Sequence, residues 1–137
     1  MRWYWMAVLG ILLCGCGPSI NRVPASGVIT LDGEPLAGVD ISTQPVGTKG
    51  SSVYHPGSHA KTDAEGRFTL LLQTDDQPGA VVGTHAVYIS FGHNPTQQDP
   101  NSNHPKLKQE YWDGTLRFTV PEGGTDQLKF ELEAITN

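Results

Sequence analysis

Ser26-Gly27-Val28-Ile29-Thr30-Leu31-Asp32-Gly33-Glu34-Pro35-Leu36-Ala37-Gly38-Val39 is the stretch on which the reading of this chain turns. Ile29 and Leu31 occupy one side of a period-two run, with Val28 and Thr30 on the other. Such alternation marks a strand with one buried and one wet face. Asp32-Gly33, followed by Glu34-Pro35, supplies turn chemistry, because Asp and Gly tolerate positive φ and Pro presets its own. A second strand follows, in which Val39, Ile41 and Thr43 alternate with Asp40, Ser42 and Gln44.

The same period recurs along the rest of the chain. Phe68, Leu70 and Leu72 alternate with Arg67, Thr69 and Leu71. His85, Val87, Ile89 and Phe91 alternate with Ala86, Tyr88 and Ser90. Leu116, Phe118 and Val120 form another such face, and Leu128, Phe130 and Leu132 the last. A further strand is expected around Ser52 to Tyr54. No segment carries a helical period. Asp63-Ala64-Glu65-Gly66, Gln77-Pro78-Gly79 and Pro121-Glu122-Gly123-Gly124 separate the runs as turns, with Gly66 free to take positive φ. The 16 glycines and 10 prolines fit a turn-rich chain. The expectation is an all-β domain over 25–137, an antiparallel two-sheet β-sandwich of about seven strands. Two connections exceed a tight turn, Val46 to His59 and Gly92 to Asp113, and long loops on a rigid scaffold are where binding usually sits.

Ahead of the domain stands a different kind of segment. Met1-Arg2-Trp3-Tyr4-Trp5 carries one positive charge, and Met6 to Leu13 is apolar but short for a bilayer span, which takes about 20 residues. Leu13-Cys14-Gly15-Cys16 closes it, with a small residue before Cys16. The pattern resembles the signal of bacterial exported lipoproteins, in which signal peptidase II cuts before the cysteine and that cysteine receives lipid. Cys14 fits this role poorly, since bulky Leu13 precedes it. The resemblance implies a signal peptide over 1–15, a lipidated tether over 16–24, and a membrane partnership through lipid on Cys16. It also implies an extracytoplasmic address, on the outer membrane or the periplasmic face of the inner membrane. With Cys14 removed and Cys16 acylated, no disulfide is available and stability must come from packing. An ordinary secretory signal with a chance cysteine is the plainer alternative.

The opening stretch also resembles a family. Ser26 to Val39 is similar to the start of carboxypeptidase regulatory-like domains, a "G-V-T-x-x-G-x-P-L-x-G-V" pattern. Thr62-Asp63-Ala64-Glu65-Gly66-Arg67-Phe68 resembles their "T-D-x-x-G-x-F" turn, and Gly83-Thr84-His85-Ala86-Val87-Tyr88-Ile89 stands where they have "G-x-Y-x-V-x-I". Lipobox and domain together look like the small lipoproteins of planctomycete-type bacteria. The resemblance implies a transthyretin-like or prealbumin-like sandwich, with Leu36 folding back onto the core and Phe68 entering it. His85 departs from the pattern by placing a polar ring where an inward aromatic is usual, so it should find a buried hydrogen-bond partner.

Residues able to carry chemistry are few. The formal net charge is -5 and no basic run occurs, which argues against a nucleic-acid partner. His55, His59, His93 and His104 match no zinc spacing, and a metal needs three or four converging ligands. Asp63 and Glu65 fall short of a calcium ligand set, and the turn already accounts for Asp63 and Gly66. Transthyretin-like hydrolases use His and Arg on sheet strands and a Tyr-Arg-Gly-Ser tail. Glu133-Ala134-Ile135-Thr136-Asn137 differs from that tail, and Arg67 and Arg117 match no such motif. No Gly-x-Ser-x-Gly nucleophile elbow is present. Tyr111 and Trp112 are the binding candidates by residue type, since loop aromatics stack on sugars or anchor proteins. They serve equally well to pin the long loop onto the sandwich.

The expectation for function is a non-catalytic, lipid-anchored envelope domain without cofactor, in contact with an envelope protein or a polysaccharide. The alternatives are a ligand-binding accessory for a sugar, peptide or metal beside a transporter, and a transthyretin-like hydrolase.

Overall fold

The structure, a computed structural model, describes residues 20–47, 55–92 and 103–135. Cys16 and the segment before it, the strand expected at Ser52 to Tyr54, and His93 lie outside the described residues. In chain order the strands are β1 (Arg22–Val23), β2 (Ala25–Leu31), β3 (Glu34–Pro35), β4 (Asp40–Pro45), β5 (Ser58–Lys61) and β6 (Arg67–Thr69). They continue with β7 (Leu71–Leu72), β8 (Ala80–Val81), β9 (Gly83–Ser90), β10 (Arg117–Val120) and β11 (Thr125–Leu132). A 3₁₀ turn, η1 (Gln109–Tyr111), precedes β10.

The chain is all-β, as its periodicity requires, and its strands form several sheets in a β-sandwich-like arrangement. The larger sheet has five strands in the order β10-β9-β4-β5-β7. The smaller has four and is built around β2, with β11 on one side. β3 and β6 share the other side of β2, pairing with its C-terminal and N-terminal halves respectively. A short ribbon of β1 and β8 completes the set. β1 falls inside the stretch read as a tether, so backbone pairing to the domain begins at Arg22.

Apolar side chains from the sheets meet in one core. Ile29, Phe68, Phe130 and Leu132 enter from the smaller sheet, and Ile41, Val87, Ile89 and Val120 from the larger, each 6% exposed or less. Phe130 ties the two together: it stacks on Phe68 at 5.8 Å and meets Phe118 edge-on at 5.8 Å. Such aromatic contacts add stabilisation beyond the area they bury. Leu36 does fold back onto this core, with its N–H donating to Ile29 O at 3.0 Å.

The turns follow the sequence chemistry. Asp32 and Gly33 both take positive φ, 51° and 84°, which makes β2 and β3 a two-residue type I′ hairpin. Asp63 Oδ1 accepts the N–H groups of Glu65 at 3.0 Å and Arg67 at 2.8 Å, and Gly66 takes φ 72°.

Three features differ from the sequence expectation. β11 runs parallel to β2, with Phe130 opposite Ile29 and Leu132 opposite Leu31, so the sheets are not antiparallel throughout. A period-two pattern carries no direction, and only the path of the chain decides it. The run Phe68 to Leu72 is two strands rather than one: β6 pairs with β2 and β7 with β5. The chain crosses between sheets at fully buried Leu70, whose N–H donates to Ala25 O at 2.9 Å. Finally, Ser58 to Lys61 form a strand within and just beyond what the sequence suggested was a loop, because Ser58 and Ala60 face inward while His59 and Lys61 face outward.

Candidate functional site

β4 lies at the centre of the larger sheet, hydrogen-bonded to β5 on one side and β9 on the other. Its alternation sends Ile41 and Thr43 into the core and leaves Asp40, Ser42 and Gln44 on the outer face. The register then sets what flanks each of them. Ser42 stands opposite His59 on β5 and opposite Tyr88 on β9. One small hydroxyl side chain therefore sits between two planar rings, and strand spacing puts the two ring-bearing backbones about 9.6 Å apart.

Each ring is held away from Ser42. His59 Nε2 lies 3.2 Å from Asp76 Oδ1, which places the imidazole toward the turn after β7. Tyr88 reaches to the other side, across Gly114. A Cβ at Gly114 would lie 2.6 Å from the Tyr88 hydroxyl, and the residue takes φ 84°, so glycine is required there twice over. A groove of about 310 Å³ remains between the rings. Asp40, Ser42, His59, Tyr88, Ser90 and Gly92 line it.

The polar atoms of the groove are only partly committed. Ser42 Oγ accepts from Gln73 Nε2 at 3.3 Å, which leaves its own proton to donate. Asp40 Oδ2 accepts the Gly92 N–H at 3.2 Å, and Lys61 Nζ stands 3.9 Å from Oδ1. An ionised carboxylate accepts about four hydrogen bonds, so Asp40 retains capacity. Ser90 Oγ donates to Gly92 O at 2.9 Å. The groove thus combines an aromatic ring with hydroxyls, a carboxylate and an imidazole.

The residues singled out in the sequence lie elsewhere. Tyr111 ends η1 and is buried, and its hydroxyl accepts the Glu133 N–H at 3.1 Å. Trp112 is half-buried and packs against the same core. Both side chains fasten the segment before β10 to the sandwich. His55 is half-buried, His59 lies on β5, and His104 stacks on Phe91 at 4.4 Å. Among the described residues no group of three or more His, Cys, Asp or Glu could hold a metal ion. Arg67 is exposed on β6 and Arg117 on β10, in different sheets. Among the described residues, no helix is long and apolar enough to cross a membrane.

His85 is fully buried, as its place in the alternation requires. Its Nε2 donates to Val81 O at 2.6 Å, and its ring stacks on Phe118 at 5.2 Å. Nδ1 is buried with no partner. Because a carbonyl only accepts, Nε2 carries a proton. Burial pushes the pKa of His85 below its ordinary 6.5, and the hydrogen bond to Val81 opposes this in part.

Sequence reasoning put Tyr88 and Ser42 on outer faces but did not bring them together. The available signal was a lone aromatic on an otherwise small and polar strand face, Ala86-Tyr88-Ser90. No family model, no curated protein and no solved structure matches this chain.

Proposed function

We propose that the protein is a lipid-anchored, extracytoplasmic contact module of the cell envelope, with a carboxypeptidase regulatory-like domain that binds rather than catalyses. The groove on the outer face of the five-stranded sheet carries this reading. It offers several polar groups beside an aromatic ring on one solvent-facing surface. The anchor is Cys16, inferred from Leu13-Cys14-Gly15-Cys16. Several acyl chains hold firmly, since each buried methylene contributes about 0.8 kcal/mol and a single chain is marginal. Anchoring would hold the groove close to envelope polymers and proteins, where high local concentration compensates for modest affinity.

The test is crosslinking in intact cells followed by capture of the full chain, with Cys16→Ser and Ser42→Trp chains beside it. The expected result is a membrane-fraction protein with a defined crosslinked species. Cys16→Ser should leave the membrane fraction, and Ser42→Trp should stay there but lose the crosslink. A Cys16→Ser chain that remains membrane-bound would refute the anchor, and a crosslink unchanged by Ser42→Trp would refute the groove.

A further inference from the structure

We propose that the groove over Ser42 is a saccharide-binding site for a neutral glycan, with Tyr88 as its aromatic platform and Asp40 and Ser42 as its polar contacts. This deepens the reading of the sheet face as a contact surface and rests on it. The groove opens on the outer sheet face over Ser42, with the Tyr88 ring on one side of it and the His59 ring on the other. The volume of about 310 Å³ lies at the small end of ligand sites, the size of one or two sugar rings.

The polar groups fit hydroxyls better than any charged group. Asp40 accepts from the O–H groups of a sugar, and the Ser42 hydroxyl donates back. His59 adds an imidazole at the β5 side of the groove. Tyr88 supplies an aromatic ring for the C–H face of the sugar. Asp40 is the one carboxylate among the described residues that line the groove and stands against an anionic ligand, with Lys61 only at 3.9 Å on its far oxygen, and the chain is acidic as a whole. A peptide strand is also a poor occupant. β4 is paired on both sides, so its backbone has no edge to offer for strand addition.

The experiment uses the full chain in detergent on a printed array of neutral hexose and pentose oligosaccharides, with hexuronate oligosaccharides as anionic controls. Positives are followed by calorimetric titration. The expected result is binding of at least one neutral oligosaccharide, with hexuronates weaker by about tenfold or more from repulsion at Asp40. Ser42→Trp, which fills the floor of the slot, should abolish the signal without lowering the melting temperature. Asp40→Asn preserves shape and should weaken binding by about tenfold. No neutral oligosaccharide binding, or binding that survives Ser42→Trp, overturns the proposal. If the array is negative while Ser42→Trp removes a protein captured in cells, the sheet face stands as a contact surface and the saccharide is wrong.

Discussion

A single methyl group at Gly27 should part the two strands that close the smaller sheet. Gly27 on β2 faces Leu128 on β11 in the parallel pair, at a register irregularity between Thr125 and Leu128. A Cβ at Gly27 would lie 1.9 Å from Leu128 O and 2.5 Å from Leu128 C, both backbone atoms that cannot rotate aside. Ordinary contact would require β11 to retreat by about 1.5 Å, a shift that forfeits close packing along its inner face. The ladder bonds on either side of Leu128 would break, at about 1 kcal/mol each. Phe130 and Leu132, now 6% and 3% exposed, would lose part of their burial. Full burial of such side chains contributes about 1.5–3 kcal/mol apiece, so a partial loss adds roughly 1–2 kcal/mol. Gly27→Ala should therefore cost about 3–4 kcal/mol, lowering the melting temperature by roughly 10–15 °C. Gly123→Ala is the matched control, because its Cβ would meet nothing within 4 Å. There the loss of unfolded-state entropy makes the change neutral or stabilising by up to about 1 kcal/mol. Urea unfolding followed by circular dichroism separates the two. If Gly27→Ala falls within about 0.5 kcal/mol of Gly123→Ala, the ordinary scatter of surface substitutions, then β11 does not pass Gly27 in this register.

Further outcomes follow from single sites. Burial holds the pKa of His85 below 6.5 in the fold, whereas the unfolded chain takes up a proton near 6.5. Its contribution to stability is therefore complete above that pH and falls as the pH drops below it, by at most about 1.4 kcal/mol per pH unit, and His85→Phe should flatten this slope in unfolding measured from pH 7 to 5. Tyr111→Phe deletes the acceptor of the Glu133 N–H and should cost about 1 kcal/mol, against roughly 3–5 kcal/mol for Tyr111→Ala, both read from urea midpoints. Asp63→Ala removes the acceptor of two turn N–H groups and should cost about 1–2 kcal/mol, with most of it recovered by Asp63→Asn, in the same assay. Gly114→Ala should push the Tyr88 hydroxyl from its seat and shift the Tyr88 ring resonances in NMR spectra, whereas Gly123→Ala, with nothing within 4 Å of its Cβ, should leave them in place.

How much of this molecule the sequence discloses depends on how local each feature is. The strands β2, β4, β9, β10 and β11 were legible because half-burial writes itself into a two-residue period. The Asp32-Gly33 and Asp63-Gly66 turns were legible because positive φ and side-chain acceptors select a few residue types. The parallel course of β11 was not, since Leu128, Phe130 and Leu132 alternate identically in either direction. Nor was the switch at Leu70, where an unbroken apolar alternation hides a change of partner strand. The aromatic pair after Lys108 drew attention by residue type alone, and type cannot distinguish a ring that pins a loop from one that meets a ligand.

The groove belongs to a third category, in which each member was placed correctly and the assembly was invisible. Alternation in β9 separates His85, turned into the core, from Tyr88, turned out of it. A shift of β9 by one residue would exchange those faces, burying the phenol and exposing the imidazole. In the observed register Ile41 pairs with Ile89 and Thr43 with Val87, which keeps all four side chains in the core, as a one-residue slip would not. The positions between them, Ser42 and Tyr88, then stand side by side on the outer face. The same inward residues that stabilise the sandwich thus build its outer surface, and a core substitution that slipped β9 would erase the groove without touching any residue that lines it.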